Sequence, residues 1–319
     1  MPKLGCLPKV IIGIVIVLVL IVVSGLFFPT PQPEVHLAAN YGGEAPEPFF
    51  TLGPIYVTNT LIASWLSILV LVGLFYFATR KMKLVPKGLQ NLMESLVEAI
   101  INFIEGIAGK ENGRRFFPIV ATIFLFVLAN AWLSLLPIFN VIGFGHHGTS
   151  ETLFFGEYSG AIIGVPFLRS ANTDINVPLM LALMSFIFVE YWGISSLGIF
   201  NYMGKFFRFG QLRQGIGQLV RGRIKPALGA LFTGIIDIFV GGIELLSEFI
   251  RLISFTFRLF GNMTAGEVLL LLTAFLVPWI LPVIFYGLEF FFGFVQALIF
   301  GGLTLVFATM AVAAHGAEH

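Results

Sequence analysis

The run FTFRLFGNMTAGEVLLLL, residues 255 to 272, sets Arg258 inside one of the longest uninterrupted apolar stretches of the chain. Arginine does not shed its charge. At the centre of a bilayer it costs about 2.5 to 3.5 kcal/mol on insertion scales, so such a residue normally faces a partner or a water-filled path. Asp237, Glu244, Arg251 and Arg258 recur every seven residues, which on one continuous helix lays them along a slowly drifting stripe. Glu248 adds an i, i+3 neighbour for Arg251 and an i, i+4 neighbour for Glu244. The plain alternative is an interfacial helix end whose charges pair in headgroup water. It suits Asp237 best and Arg258 least, because depth decides whether an intramembrane charge is functional.

Glu267 follows Arg258 by nine residues, about 180° round a helix of 3.6 residues per turn, so it faces away from the arginine and needs another partner. The last apolar segment carries Glu289 and Gln296 seven residues apart. If it runs back inward, Glu289 and Glu267 can approach each other in the outer leaflet. Two close carboxyls in low dielectric do not both ionise readily, so one tends to hold a proton, and the pair reads as a proton relay. Asn262 lies one turn from Arg258, where its amide can hydrogen-bond a charged group or water; for Asn262 and Gln296 alike the competing reading is helix packing. His146, His147, His315 and His319 lack the spacing of a metal site. The phenylalanine-rich stretch at 285 to 299 reads as packing or lipid-facing surface. No metal and no cofactor is expected.

A length of 319 residues with 57% hydrophobic and 11% charged positions and a mean hydropathy of +0.95 excludes an ordinary soluble protein. A net charge of +1 gives no support for nucleic-acid binding. Cys6 is the only cysteine, so neither an intrachain disulfide nor a cysteine metal cluster can form. The phosphate-cradling pattern G-x-x-x-x-G-K-[ST] is absent, so the chain does not hydrolyse ATP by itself.

Residues 10 to 28 are an apolar run behind Lys3 and Lys9, read as a retained helix in preference to a cleaved signal because signal cores are shorter. Residues 29 to 53 carry glutamates and no lysine or arginine, as an exported segment would. Spans are predicted at 55–79, 116–138 and 177–200, with an amphipathic surface helix at 88–109. The loop 139–175 holds Arg169 as its one basic residue. Outside the spans, fifteen of sixteen lysines and arginines lie in the N-terminal segment and in residues 80–115 and 202–226. The positive-inside rule makes that side, with the C-terminus, cytoplasmic. From 228 to 313 the chain is apolar apart from a break near Pro278 and Pro282, which fits two long helices. One of them, from 231 to 276, would be about 70 Å long and so must tilt steeply or bend. The expected fold is all-α and polytopic, with five to six transmembrane helices. Residues 1–54 form an N-terminal apolar segment and exported linker, and 55–319 a channel domain.

RLFGNMTAGE (258–267), FVQALIF (294–300), ANTDINVPLMLAL (171–183) and LLPI (135–138) together resemble subunit a of the F-type ATP synthase, over most of the chain from about residue 50. The resemblance places the family's essential arginine at Arg258, its amide at Asn262, its outer-channel acid at Glu267 and its last-helix glutamine at Gln296. Seven residues before that glutamine, where relatives often carry histidine, stands Glu289; Ser134 stands where an acid sometimes precedes LLPI. It implies a proton-translocating stator beside a ring of c subunits, a b-subunit peripheral stalk and the other subunits of the complex, in the lipid of the cell membrane. Asn262, Glu267, Glu289 and Gln296 would line the outer half-channel, and Asp237, Glu244, Glu248 and Arg251 the inner one. The competing function is a proton-coupled secondary transporter whose arginine binds an anionic substrate; it calls for broken helices and repeat symmetry. A noncatalytic membrane subunit of a redox complex is the third reading.

Overall fold

A computed structural model describes Val19 and residues 50–52, 55–136, 143–147, 151–153, 156–158, 161–166, 168–206, 210–220, 224–276 and 281–313. The N-terminal apolar segment, apart from Val19, the end of the LLPI match and the C-terminal histidines lie outside these residues. A short antiparallel pair, Phe50–Leu52 with Ile55–Val57, precedes helix α1 (Asn59–Thr79) and then α2 (Leu89–Ser134). Two further antiparallel pairs follow, Gly143–His147 with Ala161–Pro166 and Glu151–Leu153 with Gly156–Tyr158. After a 3-10 turn at Ala171–Thr173 come α3 (Asn176–Leu197), α4 (Ile199–Phe206), α5 (Gly210–Val220), α6 (Ile224–Leu276) and α7 (Leu281–Ala313). The architecture is all-α and multi-pass: among the described residues α1, α2, α3, α6 and α7 are long and apolar enough to cross a membrane.

Local sequence explains the helix limits. Pro226 and Pro282 each sit in the first turn of a helix, where the missing N–H removes no intrahelical bond. The predicted surface helix and third span are two segments of α2, joined at Gly109 with φ 76° and ψ 167°. Only glycine adopts that conformation without strain. Hydrophobic periodicity continues on both sides of this residue, so the break is one of backbone direction rather than of composition. The predicted basic loop 202–226 contains two helices, α4 and α5. Helix α6 starts seven residues earlier than predicted; its 53 residues span about 80 Å.

The chain divides into two compact units. One comprises Met1–Gly73, Phe126–Asp174 and Phe260–Ala297. Its described core is tied by polar as well as apolar contacts. Ser67 on α1 donates to Asn130 Oδ1 on α2 at 2.8 Å, and the Thr60 hydroxyl donates to Asp174 at 2.9 Å. Trp132 stacks on Phe290 with ring centroids 4.3 Å apart and donates its indole N–H to the Phe290 carbonyl at 3.1 Å. The bridge from Leu168 to Thr173 is buried throughout, which seats Arg169 inside this unit and away from its surface.

The other unit comprises Leu74–Leu125, Ile175–Leu259 and Leu298–His319. Phe116 meets Trp192 at 4.5 Å, Phe255 meets Phe300 at 5.0 Å, and the Ser185 and Thr304 hydroxyls hydrogen-bond at 2.8 Å. Of an 18-residue apolar window in α6, 11% of residues are buried within the chain, against 50% in α2. An apolar helix left this uncovered must meet lipid or another protein along most of its length.

Candidate functional site

In the unit that includes the first part of α6, the heptad stripe is graded in burial. Asp237, Glu244 and Arg251 are half-buried, Glu248 is buried, and Arg258 is exposed. Arg251 Nη1 lies 2.6 Å from Glu248 Oε2, the i, i+3 pair that the spacing permits. The guanidinium of Arg251 also sits 3.6 Å from the centroid of Phe307 on α7, where the ring face attracts a cation. Arg251 borders a void of about 10 Å³ lined by Ser185, Val189 and Phe255, room for one water at most.

Two further groups join this cluster that sequence reasoning passed over. Burial first, and then a hydrogen bond to Glu190, push the Tyr202 phenol above its ordinary range, with Glu248 adding to the effect. Glu190 is an acid within the apolar helix α3, so the reasoning that singled out Arg258 was available for it too. Tyr202 lies on α4, read from sequence as loop, and gave no comparable signal.

Arg258 differs from Arg251 in having no ion pair among the described residues. Phe255 and Leu259 turn toward the interior and are buried, whereas Phe257, Arg258 and Gly261 are exposed. The guanidinium therefore emerges on the uncovered face of α6.

The unit that includes the later part of α6 holds the remaining predicted residues. Asn262 is half-buried; Gln296 is buried, and its Nε2 has no hydrogen-bond partner among the described residues. Glu267 and Glu289 both line a cavity of about 200 Å³, together with Ser134, Ser170, Met263 and Tyr286. That is room for several waters. Glu289, 8% exposed, rests its carboxyl against Gly266 so closely that a methyl group at residue 266 would collide with it. The hydroxyl of Ser170, which lines the cavity, is buried without a hydrogen-bond partner among the described residues, which suits a wetted wall.

The partner that Glu267 required includes a residue absent from the sequence-predicted site. Arg169 Nε lies 3.3 Å from Glu267 Oε1 and 3.4 Å from Oε2. Arg169 is 6% exposed. Its signal in the sequence was its solitude as the one basic residue of loop 139–175, but the pairing joins positions 98 residues apart and no periodicity reaches that far. The structure thus brings Glu267, Glu289 and Ser134 to one cavity and Glu248 and Arg251 to one ion pair. Asn262 and Gln296 do not line that cavity.

A family model described as ATP synthase A chain matches residues 61–309. Proteins named ATP synthase subunit a are similar over most of their length. The one from Helicobacter acinonychis (strain Sheeba) is 30% identical over 264 residues, covering 83% of this chain and 93% of that protein. That from Helicobacter pylori (strain P12) is 31% identical over 267 residues, covering 82% and 95%. The protein of Sulfurimonas denitrificans is 31% identical over 259 residues, covering 81% and 91%.

Proposed function

This chain belongs to the ATP synthase A chain family, and from that premise we propose that it provides two proton half-channels and, at Arg258, the fixed charge that couples them to a rotor carboxylate. As a family member it is a multi-pass, proton-translocating component of the membrane sector of ATP synthase and is not itself catalytic. The observation that carries the finer reading is Arg258: a permanent cation in an apolar helix, exposed, on the least covered span, with no carboxylate paired to it among the described residues. A charge of that kind is stable in a membrane only opposite a compensating group or water, and a carboxylate carried by the ring of c subunits supplies one.

The steps follow from charge. A proton from outside reaches the ring carboxylate by way of the cavity at Glu267 and Glu289, with Asn262 and Gln296 completing the outer path. Neutralised, the carboxyl can turn into lipid, where its ionised form would cost several kcal/mol. After most of a turn it meets the inner path, formed by Glu244, Glu248, Asp237 and Arg251, and releases the proton to the cytoplasmic side marked by the basic segments. Arg258 favours the ionised carboxylate on its return and repels a free proton that would pass from one path to the other without rotation. The b-subunit stalk would hold this chain against the torque of the ring. Residues 55–319 serve as the channel domain, and residues 1–54 precede it as an anchor or signal and linker.

Replacing Arg258 by alanine tests this directly. ATP-driven proton pumping should be lost while the complex still assembles. Coupled pumping that survives the substitution would refute the assignment.

A further inference from the structure

Resting on the reading above, we propose that Glu190 of α3 is a further carboxyl of the inner proton path and that Tyr202 of α4 is the residue that positions it. Sequence periodicity assigns the inner path to α6 alone. In the structure, side chains from α3 and α4 join it.

An acid within an apolar span needs polar company or water. Glu190 lies seven residues before the end of α3 at Leu197, about 10 Å along the axis, toward the end that leads into the basic segment. There the chain reverses. Gly198 caps α3 with φ 78° and ψ 149°, a backbone conformation that favours glycine, and α4 folds back onto the helix before it. The Tyr202 ring occupies the space that a methyl group at residue 193 would need. Farther along α4, the Phe206 carbonyl lies just as close to Gly241 of α6. Two glycines thus let α4 seat against both α3 and α6, and Tyr202 is 2% exposed there.

The phenol is where the charged groups converge. It hydrogen-bonds Glu190 and lies within electrostatic range of Glu248 and Arg251, the ion pair of α6. Burial, first, raises the phenol well above its ordinary range, so the hydroxyl keeps its proton and donates to the carboxyl without exchanging charge itself. Val189, next to Glu190 in the chain, lines with Arg251 the void of about 10 Å³. A space that small holds no chain of waters, so titratable side chains are what can pass a proton through the cluster, and Glu190 supplies one from α3. From α2, Arg115 Nη1 reaches Ser196 Oγ at 3.4 Å, six residues beyond Glu190. Residues 298–313 of α7 include no titratable side chain.

The test uses the intact complex in vesicles, with ATP synthesis driven by an imposed gradient, expressed per assembled complex and followed against the pH of each bath in turn. Glu190→Gln keeps the size and the hydrogen-bond acceptor but not the titration; it should slow synthesis by at least about tenfold. It should alter the dependence on cytoplasmic-side pH and leave the dependence on outer-side pH as it was. Glu190→Asp keeps a carboxyl and should stay within about threefold of the unaltered rate. Tyr202→Phe keeps the ring against Gly193 and removes the hydroxyl; the lost hydrogen bond should slow synthesis about fivefold, with the same one-sided change in pH profile. The proposal is overturned if Glu190→Gln leaves the rate and the cytoplasmic-side profile unchanged, or if Tyr202→Phe matches the unaltered complex. It is equally overturned if Glu190→Asp is as slow as Glu190→Gln, if both pH profiles change alike, or if Glu190→Gln fails to assemble, since each of these marks a packing role alone. Arg258→Ala in the same vesicles separates the two readings. Synthesis persisting there sinks the stator role itself, whatever the Glu190 series does.

Discussion

The two units each enclose an arginine–glutamate pair, and the pairs are built for different work. Arg251 and Glu248 are neighbours on one helix, 2.6 Å apart and 19% and 10% exposed, with Phe307 against the guanidinium and a void of about 10 Å³ beside them. Arg169 and Glu267 join a loop to a helix, with side chains 7% and 14% exposed, and Glu267 also borders a cavity of about 200 Å³ that Glu289 shares. The same ionic chemistry thus appears once in a tightly packed setting and once in a roomy one. A close pair without space for water fixes a helix surface; a close pair whose carboxylate opens on a cavity also acts on whatever that cavity holds.

The largest effect should come from the arginine that neither pair contains. Arg258→Ala should reduce ATP-driven proton pumping in inverted vesicles by at least about a hundredfold, the loss of a buried-phase charge contact worth several kcal/mol. Equal pumping would mean that Arg258 is one more packed charge, like Arg251. Next in size is Gly266→Ala in the roomy unit. The atoms nearest to the added methyl belong to the flexible end of Glu289, so the complex should remain stable to within about 1 kcal/mol. Proton flux should fall by about tenfold as the carboxyl is displaced, a change of about 1.4 kcal/mol in barrier. Flux unchanged by this substitution would show that the position of Glu289 is immaterial.

In the tight unit, the sharper readout is stability. Arg251→Gln leaves Glu248 buried beside a neutral group and should cost about 1 to 3 kcal/mol in thermal or denaturant unfolding. Adding Glu248→Gln should restore part of it, and additive losses from the two substitutions would show that the pair is not coupled. The smallest effect is expected for Ser67→Ala, which removes the hydroxyl bonded to Asn130 at 2.8 Å. About 1 kcal/mol of stability should be lost with proton flux unaltered.

Sequence periodicity conveyed what lies along one helix and little of what lies between helices. The Glu248–Arg251 pair was legible because three residues make most of a helical turn, and the separation of α6, ending at Leu276, from α7, starting at Leu281, was legible because proline does not continue a helix. The gathering of Glu267 and Glu289 could be anticipated once two antiparallel helices were assumed. Arg169 could not be assigned to Glu267, because the contact depends on how a buried bridge folds back. The bend at Gly109 was hidden for a related reason: apolar spacing reports which faces are covered, and a single left-handed residue redirects the backbone without altering that pattern. Helices α4 and α5 were missed because their basic residues and glycines resemble a connecting loop.

Helix α6 carries Glu248, Arg258 and Glu267 without interruption through 53 residues. Each such residue advances the axis by about 1.5 Å and turns it by about 100°. The groups it carries within one unit, Glu244, Glu248, Arg251 and Arg258, are therefore indexed to one another like teeth cut on a single shaft. One amino acid inserted between Glu248 and Arg258 would swing the arginine by more than a quarter of a circle away from its present azimuth. Point substitutions in this stretch can be graded, whereas insertions and deletions shift the phase of every group beyond them.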